Sequence, residues 1–146
     1  MILLRRNLFI YILIVNLDIS KFGLICFIYL EIMKKLYALK DAYESGKFLA
    51  LKRWHDSECK NCNCNMDSFV KFNSFLEWRD PFLLKNNRNK RFSNKFIYDL
   101  ECAFQAGENT MMFFWRGNNF IRPGITSAQF TDFFDFLKSY ILINRK

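Results

Sequence analysis

The sequence has one histidine, two prolines and five glycines in 146 residues. With a single histidine, any thiol–imidazole or hydroxyl–imidazole dyad must use His55 or not exist. The few glycines form neither a phosphate-cradling loop nor a G-x-S-x-G elbow. The H-E-x-x-H pattern and spaced metal-binding carboxylates are missing too. These absences weigh against an enzyme and leave binding as the leading class. Acidic residues are also scarce, 14 against 22 Lys and Arg, for a formal charge of +8. Such an excess favours phosphate-bearing partners or anionic membrane.

Five cysteines make an odd count, and three of them fall within six residues. A secreted disulfide framework uses an even number, spread along the chain. Reduced thiols in the cytoplasm are the expectation. Hydrophobic residues at 51% and charged residues at 25% give globular composition, and the length suits one domain with one core. The 18 phenylalanines accompany abundant Ile, Lys, Asn and Tyr, a bias that AT-rich codons alone produce, so they are read as core filling.

Residues 1–32 differ from the rest. Arg5 and Arg6 precede LFIYILIVNL, then DISK, then FGLICFIYL. No small-residue cleavage site of the signal type comes after them. Leu8–Leu30 is long enough for a membrane helix, but Asn16, Asp18 and Lys21 interrupt its middle. The Ile, Phe, Tyr and Val content also suits a β-hairpin about the polar turn. A translated leader ahead of a start at Met33 is the remaining reading. Residues 33–146 are expected to form one globular domain.

From Met33 the spacing of Met33, Leu36, Tyr37 and Tyr43 is helical, and Gly46 suits a C-terminal cap, with a kink or break there. Asp67 is placed to cap a short helix that Asp80–Pro81 would stop. Ser93 or Asn94 caps the next, with Phe96, Ile97, Leu100, Ala103 and Phe104 as its core face and Gly107 as its end. Met111–Ile121 then reads as a β-hairpin about Gly117–Asn118. Thr126 and Gln129 form a capping box for a last amphipathic helix. Its apolar face is Phe130, Phe133, Phe134, Leu137 and Ile141; Asp132 and Asp135 fall on its polar face. The fold class so predicted is α+β, mostly helical, with a short hairpin.

The densest chemistry is Trp54–Met66, WHDSECKNCNCNM, spaced H-x3-C-x2-C-x-C. Zinc takes four Cys or His ligands tetrahedrally, and His55, Cys59, Cys62 and Cys64 supply such a set. Against it, no second C-x2-C pair exists, and a C-x-C step makes it hard for both thiolates to reach one ion. Free thiols in an Asn-rich loop are the alternative. A redox or nucleophilic role lacks the βαβ context such a motif uses. Cys102 reads as a small core residue.

The second candidate is the basic connection carrying Lys85, Arg88, Lys90, Arg91 and Lys95. Four asparagines and Phe92 lie among these charges. Lys and Arg neutralise phosphates, Asn bonds phosphate or base edges, and an aromatic ring stacks on bases. A solvated loop is the plain alternative. The sequence thus points to a small basic intracellular protein that binds nucleic acid or another polyanion, with a structural zinc beside it. A protein-interaction or inhibitor module using Trp54, Trp78 and Trp115 is the second reading. A membrane-attached protein using residues 8–30 is the third.

Overall fold

The computed structural model describes residues 19–59, 65–86, 92–116 and 130–144. Among these, every regular element is helical: α1 (Ile19–Glu58), a 3-10 turn (Met66–Ser68), α2 (Phe75–Asn86), α3 (Asn94–Arg116) and α4 (Phe133–Asn144). No strand occurs among the described residues, so the α+β expectation is not supported and the described fold is all-α. The predicted hairpin fails at its first strand, because Met111–Arg116 are the last turns of α3; residues 117–121 lie outside the described residues. The cause is visible in the residues. MMFFW is a continuous apolar run without alternation, and periodicity alone cannot tell a buried helix turn from a strand there. The N-terminal hairpin fails likewise from Ile19 onward, where α1 is already helical; Leu8–Leu17 lie outside the described residues. No described helix is long and apolar enough to cross a membrane.

The chain divides into two units, Met1–Tyr37 and Ala38–Lys146, with α1 running through the division. In the first, the described residues are the opening turns of α1. Its large apolar side chains from Leu24 to Ile32 are exposed. The second unit holds the core: Ala38, Leu39, Ala42, Tyr43, Leu49 and Ala50 from α1, Leu100, Ala103, Phe104 and Ala106 from α3, and Phe130, Phe133 and Phe136 at α4.

Small residues recur at four-residue steps on α1, as Ala38, Ala42, Gly46 and Ala50, and on α3 as Ala103 and Gly107. Positions four apart share a helix face, so each helix presents a smooth stripe. Gly46 and Gly107 are therefore not helix ends. Each sits mid-helix where the partner helix's backbone approaches, and a Cβ on either would strike a carbonyl of the other helix. The capping reading fails for a physical reason: glycine serves a left-handed cap and a close backbone approach equally well.

α4 packs over Tyr43, whose ring centroid lies 5.6 Å from Phe133 and 6.0 Å from Phe136. The buried face is accordingly Phe130, Phe133 and Phe136, whereas Phe134 and Ile141, expected in the core, are exposed. Asp132 and Asp135 do more than solubilise. The Asp132 carboxylate accepts the Asp135 N–H at 2.9 Å, and Asp135 accepts the Thr131 N–H at 3.3 Å. That reciprocal pair closes the start of α4; Thr126 and Gln129, the predicted box, lie outside the described residues.

α2 begins later and ends later than expected. Ser74 and Glu77 form its capping box: the Ser74 hydroxyl accepts the Glu77 N–H at 3.3 Å, and Glu77 accepts the Asn73 N–H at 2.8 Å. Asp67 instead lies in the 3-10 turn. Pro81 falls inside α2 rather than stopping it. Trp78 and Phe82 stack across that turn at 4.7 Å, packing that offsets the lost backbone bond. At α3, Ser93 caps as predicted, its hydroxyl accepting the Phe96 N–H at 3.2 Å.

Candidate functional site

The cysteine segment starts at the end of α1. The Cys59 N–H donates to the His55 carbonyl at 2.9 Å, continuing the helical pattern and keeping the two residues on one face. His55 Nδ1 stands 3.5 Å from the Asp56 carboxylate. Cys62 and Cys64, the other two expected ligands, lie outside the described residues. Among the described residues, no group of three or more His, Cys, Asp or Glu is placed to hold a metal ion.

The segment after the cysteines is held by a dense set of polar contacts. Asn65 caps the 3-10 turn by accepting the Asp67 N–H at 3.0 Å, and the Ser68 hydroxyl returns to the Asn65 carbonyl at 2.7 Å. This turn is tied back to α1 by a lysine that the sequence gives no reason to bury. Lys52 is only 8% exposed. Its ammonium reaches the Asp67 carboxylate at 2.6 Å, the Asn73 side-chain oxygen at 3.1 Å and the Val70 carbonyl at 3.4 Å. Three donors meeting three acceptors is the condition under which a buried ammonium is tolerated. Arg53 adds a second tie, donating to the Asn73 carbonyl at 2.8 Å and to Glu108 of α3 at 2.5 Å. Asn73 thus joins Lys52, Arg53 and the α2 cap. Sequence reasoning missed this arrangement, because Lys52 and Arg53 read as surface charges and Asn73 carries no motif.

The basic connection begins at the end of α2 and finishes at the start of α3. Lys85 and Lys95, its outer charges, are exposed. Arg88, Lys90 and Arg91 lie outside the described residues. Phe92 is half-buried; its ring lies 6.4 Å from Phe82 at 9° and 5.0 Å from Phe96. This stack joins α2 to the start of α3. It continues through Trp78 to Phe104, 5.7 Å away. The expected base-stacking ring is therefore engaged in packing that draws the ends of the connection together.

Of the three tryptophans, Trp54 is half-buried on α1 and Trp78 belongs to this aromatic stack; the Trp115 side chain lies outside the described residues. Cys102 is half-buried beside Tyr98, and burial pushes its thiol up to about 11. Nearby, the Tyr140 hydroxyl donates to Asp99 at 2.8 Å, fastening α4 to α3. Burial and that carboxylate both raise the Tyr140 phenol. A thiol held neutral in this way is a packing group and a poor nucleophile.

No family model, no curated protein and no solved structure matches this chain. The functional reading therefore rests on its own residues.

Proposed function

We propose that this protein binds a polyanion, nucleic acid foremost, through the connection between α2 and α3. The observation that carries the reading is the charge pattern. Lys85, Arg88, Lys90, Arg91 and Lys95 occur with no acidic residue between Asp80 and Asp99. The Phe82–Phe92–Phe96 stack supports it by bringing the two ends of that basic run close, with Lys85 and Lys95 exposed on either side. Concentrated like charge of this kind gains affinity by releasing counterions from a phosphate backbone. Phe92 acts here by packing, and the Lys and Arg side chains make the contacts.

The test is fluorescence anisotropy of labelled single- and double-stranded oligonucleotides across a salt series. Log affinity should fall linearly with log salt concentration, and the Arg88→Ala/Lys90→Ala/Arg91→Ala variant should lower the slope by about 2–3. Equal affinity and slope in wild type and variant would remove this site.

A structural zinc is a second, compatible reading, favoured by His55 and Cys59 standing one helical turn apart at the end of α1. Native mass spectrometry before and after chelator tests it. A chelator-sensitive mass gain of one zinc, lost in Cys59→Ser, supports a site that includes Cys59. A metal-free protein after purification with added zinc retires the site.

A further inference from the structure

We propose that the first described turns of α1 are a lipid-seeking arm that inserts into one leaflet of an anionic membrane. Leu24, Ile25, Phe27, Ile28, Leu30 and Ile32 are each 42–62% exposed. At 3.6 residues per turn these six, with exposed Tyr29 and Cys26 between them, point to every side of the helix rather than along one stripe. A single neighbouring helix or sheet covers one stripe, so it would leave most of this surface in water. A helix apolar all round calls for a surrounding apolar medium. Continuous exposed apolar surface is also what soluble monomers avoid. Gly23 fits the same picture, since nothing lies near the position its Cβ would take.

The ends of the arm indicate the kind of medium. Lys21 is exposed on one side, and Lys34 and Lys35 are exposed on the other. Glu31, the one acid in the run, is matched by Lys34 at 3.2 Å. Tyr37, 62% exposed, stands just beyond. Lysines and tyrosines bracketing an apolar run are suited to the headgroup level, where the ammonium meets phosphate and the ring lies at the boundary. With the chain at +8, the complementary surface is anionic.

Length decides the depth. Phe22–Ile32 rises about 17 Å as a helix, about half of a 30 Å hydrocarbon core. A helix of that length cannot cross, whereas lying along one leaflet it keeps Lys21 at one end and Lys34 and Lys35 at the other within reach of the headgroups. The feature is separate from the α2–α3 connection, so the lipid and oligonucleotide properties stand or fall independently.

The experiment is flotation of the full-length chain with vesicles of phosphatidylcholine plus phosphatidylserine, and of phosphatidylcholine alone. The chain should float with the anionic vesicles and far less with the neutral ones. Phe27→Ser/Ile28→Ser/Leu30→Ser should lose at least about tenfold in partitioning, while its circular-dichroism melt and its oligonucleotide binding stay unchanged. As a measurement on the unaltered apolar surface, an environment-sensitive fluorophore on Cys26, with the Cys26→Ser chain as background, should shift to the blue on adding anionic vesicles. Failure to float together with an unshifted fluorophore overturns the proposal. So does a wild-type oligomer, formed without lipid and lost in the triple variant, which assigns the surface to a second copy of the chain.

Discussion

Gly46 of α1 and Gly107 of α3 are reciprocal contacts: each lies against the carbonyl of the residue three positions before the other, Phe104 for Gly46 and Tyr43 for Gly107. The crossing is backbone on backbone, with no side chain between. An exposed helical glycine replaced by alanine gains about 1 kcal/mol. Here the sign reverses, because the added methyl must push two helices apart, at a cost of about 1–3 kcal/mol. Gly46→Ala and Gly107→Ala should each lower the midpoint of urea unfolding. A Gly23→Ala control, with open space around it, should leave the midpoint unchanged or raise it.

Lys52 gives a prediction of a different kind. Replacing it with methionine keeps most of the volume and removes the donors to Asp67, Val70 and Asn73. Asp67 is largely exposed, so water compensates its loss. Asn73 is exposed as well, but the carbonyl of buried Val70 is less well served, and the expected destabilisation is about 1–3 kcal/mol. The local effect should be larger than the global one. Amide exchange at Val70 and Asn73 should speed up in Lys52→Met while exchange in the middle of α3 stays slow. Uniform acceleration would show that the tie is part of global unfolding instead.

Alkaline stability depends on Tyr43 and Cys102, with the raised Tyr140 phenol adding to the same loss. The Thr110 hydroxyl donates to the Ala106 carbonyl at 2.8 Å, so its oxygen accepts the Tyr43 proton at 2.7 Å. Burial is the largest cause that raises the Tyr43 phenol from 10.0 to about 12. Burial likewise raises Cys102 from 9.0 to about 11. Both groups are held neutral by folding and ionise first in the unfolded chain. Their contribution is therefore complete below pH 9 and is lost as pH rises from 9 to about 12. Urea midpoints measured between pH 8 and pH 12 should fall across that window. Tyr43→Phe should flatten the part above pH 10, at the cost of about 1 kcal/mol for the hydrogen bond at pH 7.

Thiol chemistry should separate the cysteines. Cys26 is exposed on the apolar arm, whereas Cys102 is half-buried with a raised thiol. Timed alkylation at pH 8, with peptide mapping of the products, should find Cys26 modified at least about tenfold faster than Cys102. The gap should close in urea. Comparable rates in the folded protein would contradict the placement of Cys102.

Parts of this architecture could be read directly from the residues. Phe96, Leu100, Ala103 and Phe104 mark the buried face of α3 by their spacing, and Ser93 marks its start. The α4 face was harder, because Phe133, Phe134, Phe136 and Leu137 cluster so densely that several faces are apolar at once. Contact with Tyr43, far away in sequence, selects among them. The two crossing glycines were misread for the same reason: the backbone each meets lies about sixty residues off. Lys52 and Asn73 give no sequence signal, since their value lies in acceptors supplied by the fold. Of the candidate sites, the outer residues Lys85 and Lys95 are where a solvated basic connection would put them. Phe92 is packed between Phe96, which the spacing marks, and Phe82, which it does not.

The Lys52–Asp67 pair turns the stretch it spans into a noncovalent macrocycle. Cys59, Cys62 and Cys64 all fall inside that ring. Bringing the ends of a segment of roughly fifteen residues together costs about 2 kcal/mol of chain entropy, and the ion pair has already met this cost in the folded protein. A metal ion or reactive partner that engages the thiols meets a segment whose flanking residues, Lys52 and Asp67, are already tied. Cutting the tie at Lys52 should therefore weaken such engagement even though Lys52 contributes no ligand atom.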